Sequence, residues 1–219
     1  TYTSASPSYN STTAPTAAGT YTITPSAANF TTGSASNYTI TYETATLTVS
    51  ATSQSTLTLT STSGTYGTTL KLTTSGGSGT GAVSYSTSSA GCSITNTDSL
   101  TVTGAITCSV TATKAADSNY NSASSSATNV VFATRSITIT AANKSATYTG
   151  STVSVSNSYT ISSGTLVGSD TFTSLTYTYT SASPSYNSTT APTAAGTYTI
   201  TPSAANFTTG SASNYTITY

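Results

Sequence analysis

Residues Thr1–Tyr42, TYTSASPSYNSTTAPTAAGTYTITPSAANFTTGSASNYTITY, recur without a single change as Thr178–Tyr219, an offset of 177 residues. Identity at a fixed offset marks an array, and a unit this long consists of whole domains in tandem rather than single solenoid turns. The chain of 219 residues holds one full period plus a 42-residue overlap. Tyr42 leads into Glu43-Thr44-Ala45-Thr46-Leu47-Thr48-Val49, so the same strand is expected to follow Tyr219 in the parent protein. Residues 1–50 then form the C-terminal half of one module type and 51–133 a complete module of a second type. Residues 134–219 are the first type again, lacking its last strand. Modules of roughly 80 to 95 residues are an ordinary size for a β-sandwich.

Ser and Thr alternate along the chain with Tyr, Ile, Leu or Val, the period of two that marks a half-buried strand. In the middle module this pattern predicts strands at Thr56–Thr60, Leu70–Thr73, Val83–Ser86, Cys92–Thr95, Leu100–Thr103, Cys108–Ala112 and Val130–Ala133. Gly64, the Gly76–Gly81 cluster, Asn96-Thr97-Asp98 and Asp117-Ser118-Asn119 read as turns between them. Seven short strands with such punctuation predict an immunoglobulin-like sandwich. In the other module type, strands are expected at Ser136–Thr140, Val153–Ile161, Phe172–Tyr179, Thr197–Thr201 and Tyr215–Tyr219. That number fits both a sandwich, which we prefer, and a β-grasp-like sheet. No segment carries a helical period, so the fold class is all-β.

Four basic and four acidic residues make only 4% of the chain charged, against roughly 25% in an ordinary soluble domain. Lys71, Lys114, Arg135 and Lys144 are scattered singly, so no basic patch can neutralise a nucleic acid or an anionic membrane. The longest apolar stretches, such as Asn129-Val130-Val131-Phe132-Ala133, fall far short of the roughly 20 residues a membrane helix needs. No membrane insertion is expected in this segment. Ser and Thr form about 46% of the chain, yet the regular alternation and only six Pro point to folded strands with a hydroxyl coat rather than an unfolded stalk.

From Ser136 onward, ITITAANKSATYTG, YTISSGTLVGSDTF, AAGTYTITPSAANF and SNYTITY, followed in the first copy by ETATLTV, resemble an MBG/YDG-type bacterial surface repeat. In the middle module, GTYGTTLKLTTSGGSGTGAVSYS, AGCSIT and TCSVTATKAADSNYNSAS are similar to bacterial Ig-like repeats. Both families occur as tandem modules in large secreted or cell-surface proteins, many of them adhesins, and neither supplies a catalytic site to transfer. The resemblance implies an extracellular, cell-surface or secreted setting. The two module types also share a Tyr near a Gly, Tyr66-Gly67 and Tyr148-Thr149-Gly150, and an Asn-Tyr pair before the last strand, Asn119-Tyr120 and Asn214-Tyr215. We read these as turn anchors.

The chain has no His, which removes imidazole ligands and Ser-His or Cys-His catalysis. Glu43, Asp98, Asp117 and Asp170 fall in different modules or loops, whereas a glycosidase needs two carboxylates facing one cleft. No enzymatic activity, cofactor or metal is expected. The GGSGTG run at 76–81 lacks the Lys and the helix of a phosphate loop and reads as a hairpin tip. Asp117 with Asn119 and Asn121 offers oxygens to calcium, but a single carboxylate favours a turn. Cys92 and Cys108, the only cysteines, sit in strand-like segments of one extracellular module and are expected to form a disulfide. The alternatives, a metal pair or a catalytic thiol, lack further ligands or a base.

Few charges also mean few guards on sheet edges. Either glycans shield the hydroxyls, or the edges pair module to module. The 177-residue period and the charge-poor surface lead us to expect the structural repeat unit of an extended extracellular fibre, filament or stalk of a bacterial-type surface protein, self-associating along or between chains. Sixteen Tyr without Trp or His give the alternative, an adhesive module that contacts glycans or mucin.

Overall fold

The computed structural model describes residues 1–155 and 158–219. Its described residues hold β1 (Tyr2–Ala5), β2 (Ser8–Ser11), β3 (Gly19–Ile23) and β4 (Ala45–Val49). The middle of the chain carries β5 (Thr58–Leu59), β6 (Ser63–Thr65), β7 (Leu70–Lys71), β8 (Thr74–Ser75), β9 (Val83–Thr87), β10 (Cys92–Thr95), β11 (Ser99–Val102), β12 (Thr107–Lys114), β13 (Ala123–Ser124) and β14 (Thr128–Ala133). Then come β15 (Arg135–Ala141), β16 (Tyr159–Ser163), β17 (Thr171–Ala182), β18 (Ser185–Ser188), β19 (Thr199–Thr209) and β20 (Tyr215–Thr218). The fold is all-β and of sandwich type, as the alternation predicts. Within the expected strand Val153–Ile161, Val153–Val155 is irregular and β16 starts at Tyr159; Ser156 and Asn157 lie outside the described residues.

The chain forms two compact units. One comprises Thr1–Leu59, Thr74–Tyr85 and Thr111–Ser126. Its main sheet has the order β2-β1-β3-β4, antiparallel throughout, with Tyr21 fully buried. β5 pairs β8, and the second half of β12 pairs β13.

The other unit comprises Thr60–Thr73, Ser86–Val110 and Ala127–Tyr219. There β10-β11-β7 form one sheet, and the first half of β12 pairs β14, which pairs β6 in parallel. Two further sheets, β16-β15-β20 and β18-β17-β19, face each other. Ile137 and Ile139 from β15 pack with Phe172 of β17 and Tyr215 of β20, flanked by Leu175, Phe207 and Ile217. β15 and β20 run parallel, Ile137 opposite Ile217. Pro202 sits in β19, an edge strand, where a missing N–H costs no ladder bond.

Two expected turns prove otherwise. Gly64 lies in β6, beside Phe132: a Cβ there would stand 2.6 Å from the ring, so the glycine makes room for a buried aromatic instead of bending the chain. The 76–81 run is no hairpin tip, because it joins β8 to β9, which pair with different strands. Gly76 takes φ +81 against the Thr56 carbonyl, where a side chain would collide. The Asn96-Thr97-Asp98 turn does close the β10–β11 hairpin, with Asn96 and Thr97 at positive φ.

The two 42-residue copies keep the same local geometry. Each has a cis Ser-Pro bond (Ser6-Pro7, Ser183-Pro184), an Ala at positive φ (Ala27, Ala204) and a short 3-10 turn over Ala-Ser-Asn. Each has an edge-on tyrosine pair at 5.6 Å, Tyr9–Tyr21 and Tyr186–Tyr198. Their ladders differ. Gly19–Ile23 is a strand because β4 and β1 flank it, whereas its twin, residues 196–200, is strand only from Thr199, where β17 pairs it. Conversely, Tyr215–Thr218 is a strand on β15, whereas its twin, residues 38–41, pairs with no strand.

Candidate functional site

Three places gather chemistry-bearing side chains. The first centres on Asp170, just before β17. Its Oδ2 accepts hydrogen bonds from the Tyr66 hydroxyl at 2.9 Å and the Tyr215 hydroxyl at 2.6 Å. The Tyr215 oxygen in turn accepts from the Val167 amide at 2.9 Å, and the neighbouring Asn214 carbonyl oxygen accepts from the Ala105 amide at 3.0 Å. The two tyrosine rings meet edge-on at 5.7 Å. Gly210 leaves the space, since a Cβ there would run into the Asp170 carboxyl. Burial raises both phenols above their ordinary pKa, and the hydrogen bond to Asp170 raises them further. Both stay protonated as donors at neutral pH. The trio clasps three distant chain segments around one carboxylate. Tyr66 and Tyr215 are two of the expected turn anchors, while Asp170 was visible only as an isolated acid; no local pattern ties an Asp to tyrosines so far away in sequence.

The second place is the loop around Asp117. Its Oδ1 accepts from the Asn119 and Tyr120 amides, both at 2.9 Å, and its Oδ2 accepts from the Thr80 amide at 2.6 Å and hydroxyl at 3.1 Å. These bonds, led by the Thr80 amide, hold the carboxyl below its ordinary pKa. Asn119 Oδ1 is taken by the Ala18 amide at 2.8 Å, and the Asn121 side chain donates to the Ala51 carbonyl. The oxygens considered for calcium are thus spent on a turn that pins the 76–81 loop. Gln54 pins it too, accepting from the Gly79 amide and donating to the Ala115 and Asn121 carbonyls.

The third is a cleft of about 850 Å³ between residues 140–155 and 192–200. Val155, Tyr179, Tyr198 and Ile200 line it, and Lys144 supplies its one charged side chain. It suits an uncharged partner with an apolar stripe. Tyr148, also in its wall, is 67% exposed.

Cys92 in β10 and Cys108 in β12 form a disulfide, with Cα atoms 6.0 Å apart and Cys108 fully buried. Of the remaining acids, Asp98 meets Lys71 at 3.8 Å on the surface and Glu43 is exposed. Among the described residues no three His, Cys, Asp or Glu side chains gather as metal ligands, and no helix is long and apolar enough to cross a membrane. No family model, curated protein or solved structure matches this chain.

Proposed function

We propose that the chain is the non-enzymatic structural repeat unit of an extended extracellular fibre, filament or stalk on a bacterial-type surface protein. One observation carries it: 42 residues recur exactly at an offset of 177 and repeat their turn, cis-proline and tyrosine-pair geometry in both places. Such a unit is built to be stacked. The Cys92–Cys108 disulfide fits an oxidising, extracellular setting. The Asp170 clasp and the Asp117 turn serve to hold loops, which suits a scaffold.

Electron microscopy of the native material tests this. Long particles with a regular axial repeat are expected, and compact, non-extended particles would end the proposal. A second reading, an adhesive module for glycans or mucin, draws on the exposure of Tyr148, since a bare phenol ring offers a stacking face for sugars. Glycan-array binding that is lost in Tyr148→Ala would favour it.

A further inference from the structure

The cleft between residues 140–155 and 192–200 has a twin whose equivalent edge is filled. In the first copy, Gly19–Ile23 is covered on its outer edge by β4, with Gly19 opposite Val49, Tyr21 opposite Leu47 and Ile23 opposite Ala45. Tyr21 is there 0% exposed. In the second copy the same five residues, Gly196–Ile200, line the cleft, Tyr198 is only half-buried, and the far side of Ile200 and Thr199 is paired to β17 just as Ile23 and Thr22 are paired to β1. The two edges have identical sequence and the same tyrosine pair, yet only one carries a strand.

We propose that this cleft is a strand-acceptor slot, and that its occupant is the Ala45–Val49 strand of a second copy of this chain, so that copies join by exchanging β4. The register is set by the filled twin: Val49 of the incoming strand opposite Gly196, Leu47 opposite Tyr198 and Ala45 opposite Ile200. The incoming strand is uncharged and alternates Thr with Leu and Val, which matches a cleft whose floor is Val155, Tyr179 and Ile200. Exchange replaces the β3–β4 ladder with one of the same sequence, so those terms nearly cancel. What remains favours the slot, because residues 140–155 give the strand a second wall that the β2-β1-β3-β4 sheet has no equivalent sequence to provide. The donor is also the weaker holder: its Tyr38 and Ile40 stay 62% and 36% exposed, whereas the matching Tyr215 is 6% exposed and Ile217 packs into a core.

The joint deepens the fibre reading and rests on it for its setting. It is tested on the intact chain with a fluorescent peptide of residues 43–50, ETATLTVS. Saturable one-to-one binding is expected, with slowed amide exchange at residues 197–199. A peptide carrying Thr46→Pro and Leu47→Pro should bind at least about tenfold more weakly, because proline cannot complete the ladder. Sedimentation should show concentration-dependent self-association that excess peptide dissolves. Absence of saturable binding, equal binding by the proline peptide, or a chain that stays monomeric at every concentration would each overturn the joint. Filaments in native material without peptide binding would overturn the joint and spare the fibre; peptide-dissolved self-association with compact native particles would support the joint and end the fibre.

Discussion

Tyr215 and Tyr38 are the same residue of the repeat in two settings, which makes a matched pair for mutation. Tyr215→Phe removes a hydroxyl that donates to Asp170 at 2.6 Å and accepts from the Val167 amide at 2.9 Å. It leaves a carboxylate with one donor fewer and a backbone N–H without its acceptor. A hydrogen bond to a charged partner contributes about 1.5 to 3 kcal/mol, and the lost contact lies beside Ile137 and Ile139 in one core. Native-state amide exchange at those two residues reports the opening of β15 from β20. It should accelerate about ten- to a hundredfold, since each 1.4 kcal/mol is a factor of ten. Tyr38→Phe, at an exposed ring, should change stability by no more than about 0.5 kcal/mol. Equal effects of the two substitutions, or no effect of Tyr215→Phe, would refute the clasp as a stabilising element.

Reduction of the Cys92–Cys108 bond, which spans 16 residues, should cost about 3 kcal/mol by the chain-entropy model; an unchanged denaturation midpoint in dithiothreitol would contradict this. Burial raises Tyr66, Tyr177 and Tyr215, so the stability they confer is complete below about pH 10 and falls as pH rises past it, by up to about 1.4 kcal/mol per pH unit for each. Denaturant midpoints taken from pH 8 to 11.5 should therefore decline, and Tyr66→Phe should flatten the decline; a level profile would count against it. Gly64→Ala puts a methyl 2.6 Å from the Phe132 ring and should destabilise by about 1 to 3 kcal/mol, read as a lower midpoint with the near-ultraviolet signal intact.

Alternation located the strands that carry a buried face: β10, β11, β12 and β14 fall where Cys92–Thr95, Leu100–Thr103, Cys108–Ala112 and Val130–Ala133 were expected. It missed β6 and β13, which are two or three residues long and show no apolar partner of their own. Gly64 was misread because a glycine that yields space to a ring looks, in sequence, like one that turns the chain. The 76–81 run was misread because turn chemistry fixes a bend without saying which strands flank it. Tyr66 and Tyr215 were legible as anchors, but their shared acceptor, Asp170, lies 104 and 45 residues away from them. The disulfide was legible because two cysteines permit one pairing.

The repeat separates what 42 residues decide alone from what a neighbour decides for them. Contacts of short range recur: the Tyr9 and Tyr186 hydroxyls each donate to a carbonyl four residues on, and the Ala28 and Ala205 amides each donate to a tyrosine hydroxyl fourteen residues on. Phe30 stacks on Tyr38 at 5.2 Å as Phe207 does on Tyr215 at 5.3 Å. Strand state does not recur, because a ladder takes a partner: residues 38–41 have the alternation of β20 but no copy of β15 beside them, and residues 196–198 have that of β3 but no copy of β4. A segment that has its pattern and lacks its partner presents unpaired backbone, which soluble proteins ordinarily guard with charge. With eight charged residues in the whole chain, that guard is thin here. In an array of such modules the same edge that is a liability in isolation becomes the place where one unit is completed by the next.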